Sequence, residues 1–336
     1  MPCGRSATPI TQPDFFPNNN NQKLKGQLTM TTATIAPAIQ NRYEFVYLFD
    51  VKNGNPNGDP DAGNQPRIDA ETGLGIVTDV CLKRKIRDFV TLLKTDPATG
   101  SAEDGYRVYV QHRGVLERFH REAYEVNGLS TDAANKGKAL DNVQKARAWM
   151  CQKFFDIRAF GAVLTLQVNC GQVRGPVQIA FAQSVDPILQ DEFTIVRKAV
   201  ATQKEADDQN NKHGMVTGTM GNKHFIPYGL YRAHGFISPH LAADTGFSEA
   251  DLNLLWQALI MMFEHDRSAS RGEMSAQKLI VFKHDSALGN APAQKLFDRV
   301  KVSRRDDSKP PRSFADYDVT LDRDGLPEGI EIIEKL

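Results

Sequence analysis

Apolar runs and three- to four-residue spacings divide the chain into a short series of elements. Tyr43-Glu-Phe-Val-Tyr-Leu-Phe-Asp50 is rich in aromatic and β-branched residues and predicts a strand. A Gly-, Asn-, Pro- and Asp-rich loop from Asn53 to Asn64 follows it. A helix is then expected to about Leu93, capped by Thr78 or Asp79, with Leu82, Ile86, Phe89 and Leu93 on one face. Its other face carries Lys83, Arg84 and Arg87. A second helix is expected from about Leu140 to Phe154, with Leu140, Val143 and Met150 inward. Strands are expected at 163–168 and 177–182, and 193–201 alternates like a strand before a polar loop, 203–222. Ser248-Glu-Ala-Asp251 reads as a capping box opening a helix to about Glu264, with Leu252, Leu255, Trp256, Leu259 and Phe263 inward. Residues 279–282 form the last clear strand.

Without its insertions the order is strand, helix, strand, strand, helix, strand, an α+β class. It is the ferredoxin-like order shared by RNA-recognition folds. Residues 1–41 stand apart: Pro9, Pro13, Pro17 and the run Asn18 to Asn21 lack apolar periodicity, so this segment is expected to be a disordered extension. Met30 inside it is a candidate alternative start.

Composition narrows the function classes. The 336 residues carry 41 basic and 41 acidic side chains, so a globally basic surface is absent and any nucleic-acid binding must come from local clustering. No apolar stretch approaches the ~18 residues that cross a bilayer. Four scattered cysteines, Cys3, Cys81, Cys151 and Cys170, with no C-x-x-C pair, give neither a disulfide framework nor a zinc site, and the default location is the cytoplasm.

Most enzyme motifs fail: G-x-x-x-x-G-K-[ST], H-E-x-x-H and G-x-S-x-G are all missing. The loop Asn55-Pro-Asn57-Gly-Asp59-Pro-Asp61 begins like a calcium loop but lacks its sixth-position glycine and closing glutamate. It reads equally as a chain of Asx turns or as a ligand-contacting loop. His265-Asp266 sets a base beside a carboxylate, but no nucleophile stands at a recognisable spacing. Gly73-Leu-Gly75 leads into a capped helix N-terminus whose free N–H groups suit a backbone phosphate. Lys83, Arg84 and Arg87 lie within its first turns, and Arg67 lies just upstream. The insertion 203–222 reads as a surface loop or as a mobile arm closing over a ligand, with Met215 and Met220 in exposed-looking positions.

Seven stretches in order carry a family resemblance: residues 53–61, 66–69, 77–87, 156–161 (Asp-Ile-Arg-Ala-Phe-Gly), 171–178 (Gly-Gln-Val-Arg-Gly-Pro-Val-Gln), 220–224 (Met-Gly-Asn-Lys-His) and 263–267. Together they resemble the Cas-seven family of Cascade backbone subunits, of the type I-C (Csd-two) kind. The resemblance implies a single hand-shaped domain over residues 42–336. Its palm is RNA-recognition-like, with a helix at 78–93, fingers at about 95–155 and a β-hairpin thumb at about 195–228. It implies a non-catalytic subunit that polymerises along CRISPR RNA with further copies of itself and with Cas-five, Cas-eight and small-subunit partners, and that supports recognition of target DNA. RNA contacts would fall on Arg67, Thr78, Lys83, Arg84 and Arg87, on Arg158, Phe160 and Gly161, and at the thumb on Met220, Gly221, Asn222 and Lys223. No cofactor, metal or membrane is implied. The second reading is a metal-dependent ribonuclease of the same superfamily, using loop aspartate Asp59 or Asp61.

Overall fold

A computed structural model describes residues 37–130 and 139–336. The expected disordered extension therefore lies outside the described residues except for its last five. Those five are ordered: Ala38 bridges to Ser248, and Ile39, 1% exposed, packs in the main core. The folded body thus begins several residues before position 42.

The chain opens with β1 (Tyr43–Gly54), the short pair β2 (Gly58–Asp59) and β3 (Gln65–Pro66), β4 (Leu74–Val77) and α1 (Asp79–Lys94). A large insertion follows, made of α2 (Leu116–Val126), α3 (Ala139–Lys153), α4 (Phe155–Phe160) and the hairpin β5 (Gly161–Thr165) to β6 (Asn169–Arg174). Next come β7 (Val177–Ile179), β8 (Ala182–Pro187), β9 (Asp191–Arg197), α5 (Gln203–His213) and the 19-residue β10 (Thr219–Ile237). The chain ends with α6 (Pro239–Thr245), α7 (Glu249–His265), β11 (Glu273–His284), α8 (Ala293–Phe297), β12 (Val300–Arg304), β13 (Tyr317–Leu321) and β14 (Ile330–Glu334).

The main sheet runs β14-β11-β1-β10-β8-β4, with antiparallel pairings throughout and β7 also bonded to β10. The central strand β1 explains its own unbroken apolar run, because both of its faces are covered. Phe45, Tyr47, Phe49 and Val51 point into a core shared with α1 and α7. Val46 and Leu48 point the other way, under α8, β12 and β13. Strand alternation places successive side chains on opposite faces, so a strand buried twice has no polar phase.

Helix α7 meets its sequence pattern closely. Leu252, Leu255, Trp256, Leu259 and Phe263 are all buried, and the Ser248/Asp251 capping box is present in both directions. On α1, Leu82, Ile86 and Phe89 are buried as expected, but Val90 takes the place expected of Leu93, which stays exposed. In α3, Met150 is buried while Leu140 is 71% exposed, and Ala146 and Trp149 supply the inner face instead. These join Tyr109, Tyr124, Phe154 and Ile157 in a separate core for the insertion. The strand expected at 163–168 stops at Thr165, where the chain turns back into β6.

The largest departure is at 203–222, expected as a loop. Residues Gln203–His213 form α5, and β10 already begins at Thr219. Thr202 caps the helix by accepting from the Glu205 N–H (3.2 Å), and Gly214 closes it with φ +72°.

Candidate nucleic-acid interface

The α1 N-terminus is held by side chains of the Asn-rich loop. Asn57 Oδ1 accepts from both the backbone N–H and the hydroxyl of Thr78, each at 2.9 Å. Thr78 Oγ1 in turn accepts from the Cys81 N–H. Asn55 Nδ2 donates to the Asn64 carbonyl (2.7 Å), and Asp59 accepts from Asp61 N–H (3.1 Å) and from Arg67 (3.2 Å). The loop is thus an interlocked set of Asx contacts that sets the helix cap, and Asp59 and Arg67 are partners within it.

The basic face of α1 is also engaged. Lys83 pairs with Asp79 (2.8 Å), Arg84 with Asp88 and with Asp266 (3.3 Å), and Arg87 with Asp156 (2.8 Å). Asp266 also receives Lys85 and Arg271. Burial works against the charge on Asp266, but these donors outweigh it and hold the carboxyl below its usual range. Asp156 is fully buried and accepts two further N–H groups, from Tyr109 and Val110, so Arg87 ties α1 to the insertion.

Two expected contacts change role. Arg158 is 7% exposed, and its guanidinium donates to both Asp251 oxygens (2.9 and 2.7 Å) and to the carbonyls of Cys151, Gln152 and Gly105. With its nitrogens all engaged inside the protein, Arg158 is a strut between α4 and the α7 cap, not an RNA contact. Phe160 is also covered: Lys83 and Arg87 lie over its ring at 5.7 and 5.4 Å. It forms a floor for these cations, with little of its surface left to a base. Gly161, expected at the RNA, stands at φ +79° against its own chain: a Cβ there would run into the Val173 carbonyl and the Gly175 N–H.

Around that glycine crossing lies a groove of about 540 Å³ that includes Phe160, Gly161 and two arginines, Arg147 and Arg174. Among the described residues neither arginine has a carboxylate partner or a hydrogen bond. Neither stands out in the sequence. The signal for Arg174 is its place in the glycine-flanked 171–178 stretch, and for Arg147 the sequence offers none.

A two-stranded ribbon stands apart from the sheet. Residues Thr219 to Phe225 of β10 pair with β9, from Thr219↔Arg197 to Phe225↔Asp191. Every residue of β9 is exposed. One ribbon face shows Phe193, Ile195, Gly221 and Lys223, and the other shows Val196, Met220 and Asn222. Met220 is 75% exposed, and nothing lies within 4 Å of where a Gly221 side chain would start. Gln209 of α5 fastens the tip through Thr217 N–H (2.8 Å) and both the N–H and carbonyl of Gly218.

The family model described as CRISPR-associated protein Cas7 matches residues 41–322, a span that takes in α1, the groove and the ribbon. The chain belongs to the Cas7 family. A CRISPR-associated protein Cas7 of Haloferax volcanii is 25% identical over 314 residues, covering 87% of this chain and 83% of that protein. Among solved structures, a chain of a CRISPR RNA-guided surveillance complex before nicking is similar at a TM-score of 0.43 with 12% identity. That likeness covers 72% of this chain and 78% of the other. A chain of another CRISPR RNA-guided surveillance complex is similar at 0.35 with 14% identity, over 71% and 68%. Among the described residues of this Cas7 chain, no group of three His, Cys, Asp or Glu side chains is placed to hold a metal ion. No described helix is long and apolar enough to cross a membrane.

Proposed function

We propose that this Cas7 chain is the non-catalytic RNA-binding backbone subunit of a type I-C Cascade surveillance complex. Copies line up along one CRISPR RNA in the cytoplasm, beside Cas-five, Cas-eight and small-subunit partners, and support recognition of target DNA. The palm is the ferredoxin-like set β1, α1, β7–β8, β10, α7 and β11, whose strands lie in the order four, one, three, two. The fingers are the insertion from α2 to β6, and the thumb is the β9–β10 ribbon with α5 at its tip.

The observation that carries this reading is the ribbon. A lone two-stranded ribbon is marginal in water. This one leaves Phe193, Ile195, Val196 and Met220 exposed. Lys198, Lys204, Lys212 and Lys223 of the same arm have no carboxylate partner among the described residues. Apolar wedges flanked by free cations suit an unstacked nucleic-acid strand, and flexible Met220 fits beside any base. Phosphates fall to Arg67, Thr78, Lys83, Arg84 and Arg87, with Arg147 and Arg174 added, and the thumb contacts to Met220, Gly221, Asn222 and Lys223. Such contacts position the strand without reading its sequence, as a guide carrier requires.

The test is purification from cells that hold a CRISPR array. Co-purifying short RNAs with uniform repeat-derived ends are expected, and incubation with labelled RNA and magnesium is expected to leave it intact. Protein that carries no such RNA and binds no single-stranded RNA in vitro overturns the reading. Magnesium-dependent cutting that disappears in Asp59→Ala or Asp61→Ala would establish the ribonuclease instead.

A further inference from the structure

The groove beside Gly161 holds more than two free arginines. Its far wall is the end of α6, where Asp244 is exposed with no ion pair or hydrogen bond among the described residues. Thr245 follows it, 6% exposed, with a hydroxyl that finds no partner in the protein. An unpartnered buried hydroxyl is costly, and a groove wall is where a ligand can relieve it. On the near wall, Gln178 donates its amide to the Gly175 carbonyl (2.9 Å), which fixes that side chain at the glycine crossing. Arg147 reaches across Gly171: a Cβ on that glycine would stand 3.8 Å from Arg147 Cδ. The groove therefore sets two cations and a free hydroxyl–carboxylate pair around one space.

A carboxylate in an anion site would weaken phosphate binding unless it has its own task. A ribose 2′-hydroxyl supplies one, since it can donate its single proton to Asp244 while accepting from Thr245 Oγ1. We propose that this groove seats one ribose–phosphate unit of single-stranded RNA, with Arg147 and Arg174 on the phosphate and Asp244 and Thr245 on the 2′-hydroxyl. The inference rests on the RNA-binding reading and deepens it, because it makes Asp244 and Thr245 the residues that separate RNA from DNA. A deoxyribose leaves Asp244 facing the phosphate without compensation, and a site built to bond a hydroxyl rejects the analogue that lacks it.

The experiment measures binding of the full chain to one mixed-sequence oligonucleotide made as RNA, as DNA and as 2′-O-methyl RNA, at fixed salt. Wild type is expected to prefer RNA over DNA by about tenfold, the size of one charge-assisted hydrogen bond. The 2′-O-methyl strand is expected to lose that advantage. Asp244→Asn and Thr245→Val should bring the RNA-to-DNA ratio toward one, with thermal melting used to show that Thr245→Val stays folded. Arg147→Ala and Arg174→Ala should weaken RNA and DNA alike and leave the ratio unchanged. Equal binding of RNA and DNA by wild type, or a preference that survives in Asp244→Asn, overturns this inference while leaving the RNA-binding reading in place. Failure of wild type to bind any of the strands overturns both.

Discussion

Lys83, Arg84 and Arg87 on α1 each pair with a carboxylate of their own chain, whereas Arg147 and Arg174, in the groove beside Gly161, pair with none among the described residues. The thumb lysines resemble the second group. A basic side chain that is already paired gives a phosphate only the difference between two partners. A free one gives the whole interaction and releases the counterion that the phosphate had held. Counting Lys and Arg along a helix therefore locates positive charge without saying how much of it is available. On α1 Lys83 and Arg84 are held by Asp79, Asp88 and Asp266, and Arg87 ties the helix to the insertion through Asp156; in the groove and the β9–β10 arm the charge is unclaimed.

The largest expected effect lies on the structural side of this contrast. Arg158→Ala leaves Asp251 buried without its guanidinium and breaks the strut between α4 and the α7 cap. A stability decrease of about 3–5 kcal/mol is expected in chemical denaturation. An unchanged unfolding midpoint would mean that Arg158 is no strut and is open to a ligand after all.

Removing the thumb should have the opposite profile. Replacing residues 193–223 with a short Gly-Ser turn takes away side chains that are almost all exposed, so the melting temperature should stay near wild type. Assembly along RNA should be abolished, and electron microscopy should show no regular multi-subunit particles. Normal particles from the thumbless chain would deny the arm its role.

A smaller effect sharpens the comparison on α1 itself. Asp88→Asn releases Arg84 from its partner on the same helix, and RNA affinity should rise a few-fold, as for an exposed pair worth up to about 1 kcal/mol. An affinity that falls would mean that the ion pair positions Arg84 rather than competing for it.

How far these roles could be read from sequence follows from where their causes lie. β1 carries its own unbroken apolar run, and α1 and α7 their own periodicity and caps, so their place in the fold is written locally. Helix α5 buries no residue, so hydrophobic spacing is silent there. Only Thr202-x-x-Glu205 and Gly214 mark it, a cap signal that outweighs neither the polar composition nor the glycines nearby. Arg158 shows the other limit. Its partner Asp251 is visible as a capping residue, but nothing local says that a guanidinium 93 positions away will share that carboxylate. The groove arises in the same way, from α3, β6 and α6 brought together by packing.

The smallest expected effect is a control away from both basic regions. His234 stacks on Phe297 at 4.1 Å and accepts from Arg232 (2.9 Å). Burial, with the charge on Arg232 second, pulls its imidazole down to about 4. Between about pH 6.5 and 4 the unfolded chain binds this proton and the folded chain does not, so stability falls as pH drops through that window. Melting temperature plotted against pH should slope less steeply there for His234→Gln than for wild type. Identical slopes would show that His234 does not titrate differently on folding.

The most direct test of the contrast between free and paired cations is the salt dependence of single-stranded RNA binding. For the double variant Arg147→Ala/Arg174→Ala, the slope of log affinity against log salt should flatten by about 1.4 per subunit, or about 0.7 for each phosphate set free. For Lys83→Ala, whose cation already has Asp79, the slope should flatten by less than half of the amount expected for one free cation. A double variant with the wild-type slope, beside a Lys83→Ala that flattens by the full amount for one phosphate, would contradict the ranking of free over paired cations and leave the phosphate contacts on the face of α1 alone.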